Sequence, residues 1–135
     1  MTPTFVDTGY LVALEAADDQ HHAAALRHWH AFMQTRPQLV TTSFVLDEVA
    51  TFFNSRGRHA KAVEIGERVL GSPSVQLIHV DEDLFAAAWS YFRRRGDKRF
   101  SLTDCVSFVL MQRLGIEAAL AFDAHFAQAG FRTLP

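Results

Sequence analysis

Short apolar runs, each set against a stretch with helical periodicity, recur from one end of this chain to the other. They fall at residues 4–6, 39–41, 75–80, 118–122 and 131–134. A strand with one wet face alternates apolar and polar residues. These runs hardly alternate, so they predict strands buried on both faces. Such strands sit in a parallel sheet covered by helices, because parallel neighbours need long crossovers and the crossovers pack on the faces. The fold class that follows is α/β, in three layers.

Helices fill the gaps. The spacing predicts them at residues 10–16, 21–35, 43–55, 59–70, 81 to 94 or 95, 101 or 103 to 114, and 124–129. On the second, Ala25, Leu26, Trp29, Phe32 and Met33 form one apolar stripe. The punctuation agrees. Asp18 or Asp19, Ser43, Asp81, and Ser101 or Thr103 can cap helix starts, while Pro37, Gly57, Gly71-Ser72-Pro73, Gly96 and Gly115 stop helices.

No repeat, low-complexity tract or linker divides the 135 residues, a length that suits one domain with a sizeable core. With 49% apolar and 21% charged residues the chain is not a disordered one. A formal charge of −2 excludes a polycation that holds nucleic acid by bulk charge. The single cysteine, Cys105, can form no internal disulfide, which fits a reducing cytoplasm. The opening residues lack the basic and apolar regions of a signal peptide, and no apolar run approaches the ~18 residues of a membrane span. A cytoplasmic protein with no membrane contact is expected.

Four acids stand out. Asp7 and Asp123 each follow an apolar strand and precede a helix, so in a parallel sheet both lie at the carboxyl edge, where open α/β sheets bind ligands. Either alone could be a helix N-cap. Asp104 sits one turn into the sixth helix among small and apolar neighbours. The helix dipole favours an acid there, and burial would require a partner for its charge. Glu48 has Phe44 and Phe52 four residues to either side, hence an apolar face, whereas Asp47 is offset toward solvent. Four carboxylates in one pocket repel, and a divalent cation removes that cost. All-oxygen ligands favour Mg²⁺ or Mn²⁺ over Zn²⁺, and such a site polarises phosphoryl oxygens and activates water.

In chain order the residues are a strand ending in Asp7-Thr8, Val45-Leu46-Asp47-Glu48-Val49, Ser101-Leu102-Thr103-Asp104-Cys105-Val106-Ser107-Phe108, and Phe122-Asp123-Ala124-His125-Phe126 ahead of Gly130-Phe131. This set resembles the PIN-domain ribonucleases, and within them the toxin component of VapBC-type (type II) toxin–antitoxin pairs, over essentially the whole chain. The resemblance implies a PIN-like fold with a roughly five-stranded parallel sheet, and a single PIN domain over residues 1–135. It implies RNA cleavage dependent on Mg²⁺ or Mn²⁺. Asp7 and Asp104 match the core metal-binding pair, and Glu48 and Asp123 match the second pair. Ser101 and Thr103 fall where the family often has a hydroxyl near the site, and Thr8 beside Asp7 is counted with them. A homodimer and an antitoxin protein whose tail can occupy the groove are implied as well.

The one basic cluster, Arg93-Arg94-Arg95-Gly96-Asp97-Lys98-Arg99, leads straight to Ser101 and Asp104. It reads either as a solvated helix end or as a phosphate track, with Arg94, Arg95, Lys98 and Arg99 touching RNA. None of the seven histidines falls in a zinc-binding arrangement. His125 lies near the expected site, and a packing role would account for it too. Glycine at position 9 removes the second acid that an aspartyl phosphatase would need. The competing reading is a non-catalytic PIN-like module that binds RNA or a protein. Retention of four repelling carboxylates argues against it.

Overall fold

The protein is described by a computed structural model covering residues 2–135. Its elements are β1 (Thr4–Val6), α1 (Thr8–Glu15), α2 (His22–Met33), β2 (Leu39–Thr42), α3 (Ser43–Asn54), α4 (His59–Gly71), β3 (Val75–Ile78), α5 (Glu82–Arg94), α6 (Leu102–Leu114), β4 (Ala118–Leu120), α7 (His125–Gln128) and β5 (Arg132–Leu134). The five strands form one sheet in the order β3-β2-β1-β4-β5, every pairing parallel. Among the described residues no helix is long and apolar enough to cross a membrane.

The three central strands are buried along their whole length, as their unalternating sequences predict. Neighbouring residues on them serve opposite faces. Phe5, Val40 and Ala119 join the larger core, with Phe53, Phe108 and Phe126; Val6, Leu39 and Leu120 join a smaller one, with Tyr10 and the flanking Trp29, Phe32 and Met33. The edge strands differ. Gln76 of β3 and Arg132 of β5 are exposed, because an edge strand is covered on fewer sides.

Two strands stop short of their apolar runs, each for a visible reason. β3 ends at Ile78, and the Val80 N–H then donates to Ser43 Oγ at 2.9 Å. Ser43 is therefore a tie between α3 and the β3–α5 connection; the cap of α3 is Thr42, whose hydroxyl accepts from the Val45 N–H at 3.1 Å. β4 ends at Leu120, and Phe122 turns away to stack on His21 (centroids 4.4 Å apart) and on Tyr10 (5.6 Å). The chain leaves the sheet at this point and carries Asp123 clear of it.

Candidate active site

The carboxyl edge of the central strands is built by three connections. β1 hands over to α1 at Asp7, which is the N-cap of that helix in extended conformation. Its N–H donates to Leu120 O at 3.0 Å, so Asp7 is held directly beside the end of β4. Its carboxylate makes no capping bond, so the cap role does not use up its charge. With only 6% of its surface exposed it is a buried acid.

Asp104 comes from the first turn of α6 and is 9% exposed. It completes a capping box: the Asp104 N–H donates to Ser101 Oγ at 2.9 Å, and the Ser101 N–H donates to Asp104 Oδ2 at 3.0 Å. Ser101 rather than Thr103 is the cap. No hydrogen bond links the Thr103 hydroxyl to the acids, although its carbonyl accepts from Ser107 Oγ. Glu48 reaches the site from the middle of α3, where its Oε1 accepts from the Thr8 hydroxyl at 2.6 Å. Asp47 is exposed, as its offset predicts. Asp123 is the most open of the four acids, with its side chain 47% exposed on the turn before α7.

Electrostatics join the four. Burial pushes the Asp7 carboxyl up to about 7, and the negative charges of Asp104, Glu48 and Asp123 push in the same direction; the Thr8 N–H opposes them. An acid that holds a proton near neutrality marks a place short of positive charge. Among the described residues, no three acids, histidines or cysteines form a closed ligand cage. Glu48 Oε1 and Asp104 Oδ2 are committed to protein donors. The donors left over are hard carboxylate oxygens, the ligand type that Mg²⁺ and Mn²⁺ take.

His125 belongs to this constellation. Its Nδ1 lies 2.8 Å from Asp104 Oδ2 and 3.3 Å from Asp123 Oδ1. Only its spacing two residues after Asp123, at a helix start, could have pointed there from sequence. The other histidines that make hydrogen bonds pack α2 instead: His28 Nδ1 meets the Tyr10 hydroxyl at 2.8 Å, and His22 Nδ1 meets Ala13 O at 2.8 Å.

The basic cluster divides. Arg95 is engaged inside the molecule, paired with Asp97 through two nitrogens and lying over the Tyr91 and Phe100 rings. Arg94 reaches only Ser90, while Lys98 and Arg99 are exposed. An apolar cavity lies away from the acids. It occupies about 460 Å³ between α1, α2 and α4, lined by Leu11, Trp29, Met33, Ile65 and Val69.

Comparison with known proteins agrees with this architecture. The PIN domain family model matches residues 4–132. A curated relative in two strains of Mycobacterium tuberculosis, the 23S rRNA-specific endonuclease VapC20, is 38% identical over 127 residues, which is 94% of each chain. The crystal structure of Mycobacterium tuberculosis VapC20, described as a sarcin-ricin loop cleaving toxin, superposes with a TM-score of 0.86 at 37% identity, covering 95% of each chain.

Proposed function

The chain belongs to the PIN-domain family, and from that premise we propose that it is a metal-dependent endoribonuclease, the toxin of a type II toxin–antitoxin pair. Asp7, Glu48, Asp104 and Asp123 are its catalytic acids and its ligands for Mg²⁺ or Mn²⁺. The observation that carries this reading is Asp7, a buried aspartate raised to about 7 with three further acids adding to the shift. A structural cap would be served better by an ionised carboxylate accepting from the N–H of the second or third helical residue, and Asp7 makes no such capping bond.

When bound, the cation supplies polarisation of a phosphoryl oxygen and a water acidified toward neutrality. The chain's own residues do the rest. Thr8 holds Glu48 by its hydroxyl, Ser101 holds Asp104 by its backbone, and Arg94, Lys98 and Arg99 offer charge to the phosphates of the incoming strand. Ribosomal RNA is the substrate class, on the strength of the relative's stated specificity. A cognate antitoxin and a homodimer complete the reading. The exposed Phe85, Trp89 and Phe92, on one side of α5, support a protein contact on that helix.

The test is direct. Purified protein incubated with ribosomes or an rRNA fragment should cut at discrete positions with Mn²⁺ or Mg²⁺ and stop cutting in chelator. Cleavage that persists in chelator, or equally in Asp7→Asn, would refute the assignment.

A further inference from the structure

Two of the acids are reached by one imidazole. The His125 Nδ1 sits 2.8 Å from Asp104 Oδ2 and 3.3 Å from Asp123 Oδ1, and the His125 backbone N–H donates to that same Asp123 oxygen at 2.8 Å. A nitrogen facing two carboxylate oxygens must carry a hydrogen, so Nδ1 is the protonated ring nitrogen. Phe100, 5% exposed, meets the ring edge-on with centroids 5.5 Å apart and fixes its plane.

This arrangement divides the oxygens. Asp104 Oδ2 accepts from Ser101 and from the His125 ring, Asp123 Oδ1 accepts from the His125 backbone N–H with the ring nitrogen 3.3 Å away, and Glu48 Oε1 accepts from Thr8. In each of these three acids one oxygen is committed and the other makes no hydrogen bond within the protein. Among the described residues no buried side-chain oxygen lacks a partner, so the free oxygen of Asp104 is open to solvent. Asp104 and Asp123 come from different elements, α6 and the turn after β4. Without the ring between them, like charge would separate the exposed Asp123 from the buried Asp104.

We propose that His125 is a positioning residue of this site: its Nδ1–H holds Asp104 while its backbone N–H holds Asp123, which brings the two acids to one residue and leaves one oxygen of each to a divalent cation. The inference deepens the metal-dependent reading above and rests on it. Second-layer donors of this sort orient ligands, and their loss weakens metal binding by roughly 10–100-fold.

The experiment compares wild type with H125A, H125Q and H125N in the full chain, each checked for fold by circular dichroism. Mn²⁺ affinity is measured by calorimetric titration. An asparagine nitrogen can stand where Nδ1 stands, whereas that of glutamine falls nearer Nε2. H125N should therefore bind Mn²⁺ close to wild type, and H125A and H125Q about tenfold or more weakly. H125A binding like wild type would overturn the proposal. So would folded H125N that is as weak as H125A. A second arm needs no metal: in thermal unfolding, H125A and D104A should be less than additive, because each removes the same link. Strict additivity would overturn the link whatever the metal result. Wild type that binds no Mn²⁺ overturns the metal reading, and this inference is then decided by the metal-free cycle.

Discussion

Asp7 holds a proton at pH values where an aspartate in water has lost it, and two expectations follow. The native state keeps that proton between about pH 4 and 7, a window in which the unfolded chain has released it. Stability of the metal-free protein should therefore fall as pH rises through this window, by up to about 1.4 kcal/mol per pH unit, and level off above it. Urea unfolding from pH 4 to 8 would read the slope. Saturating Mn²⁺ should flatten it, as should Asp7→Asn. That variant replaces a reluctant charge with a neutral group of the same shape. It should unfold at higher temperature than wild type in metal-free buffer at pH 8, with a gain of up to about 4 kcal/mol, while cutting no RNA. Asp104→Asn should abolish cutting as well, but it turns the charged acceptor of the capping box into a weaker neutral one and gains less in stability. Cleavage at anything near the wild-type rate in either variant would remove these two acids from the chemistry.

The segment after α5 shows how charge and packing share one element. Arg95 is spent on Asp97, Tyr91 and Phe100, so of the four cations expected to touch RNA, Arg94, Lys98 and Arg99 stay open. Replacing these three with glutamine should weaken RNA binding and lower the salt slope, by one unit or less for each phosphate left without its cation, with little change in melting temperature. An unchanged slope in filter binding across a salt series would show that the segment does not meet phosphate. The same element marks how far sequence could be read. The Arg-rich run is plain in the string, but which of its cations is engaged is not, since Arg95 is committed by Asp97 two residues on and by ring faces set in the fold. Helices and central strands were legible because burial on both faces leaves an uninterrupted apolar record, as at Phe5-Val6 and Leu39-Val40. The ends of β3 and β4 were not, because Val80 and Phe122 are apolar for reasons outside the sheet. The four acids were legible from strand ends and apolar surroundings. His125 was legible only as a neighbour of Asp123; its bond to Asp104 was not, since a contact across a gap of that length leaves no periodic trace.

For the molecule as a whole, the proposed chemistry predicts its products. Acids and one bridging histidine gather at the strand ends, and among the described residues no second histidine joins them to form an acid–base pair. Attack by water in line, rather than by the ribose 2′-hydroxyl, should leave a 5′-phosphate and a 3′-hydroxyl. Cutting should survive a single 2′-deoxy substitution at the scissile nucleotide, and cyclic-phosphate ends detected by mass spectrometry would rule this route out. The sheet order adds a constraint in time. β1 lies at the centre between β2 and β4, and Asp7 is fixed by a bond to Leu120. Closing so long a loop is entropically costly, and chains are made from the N-terminus at about 5–20 residues per second. A ribosome partway through this message has already made Asp7, Glu48 and even Asp104, yet β4, whose Leu120 accepts from the Asp7 N–H, is still to come. A nascent chain made only as far as Asp104 therefore holds three of the four acids without the strand that fixes Asp7 at the sheet edge.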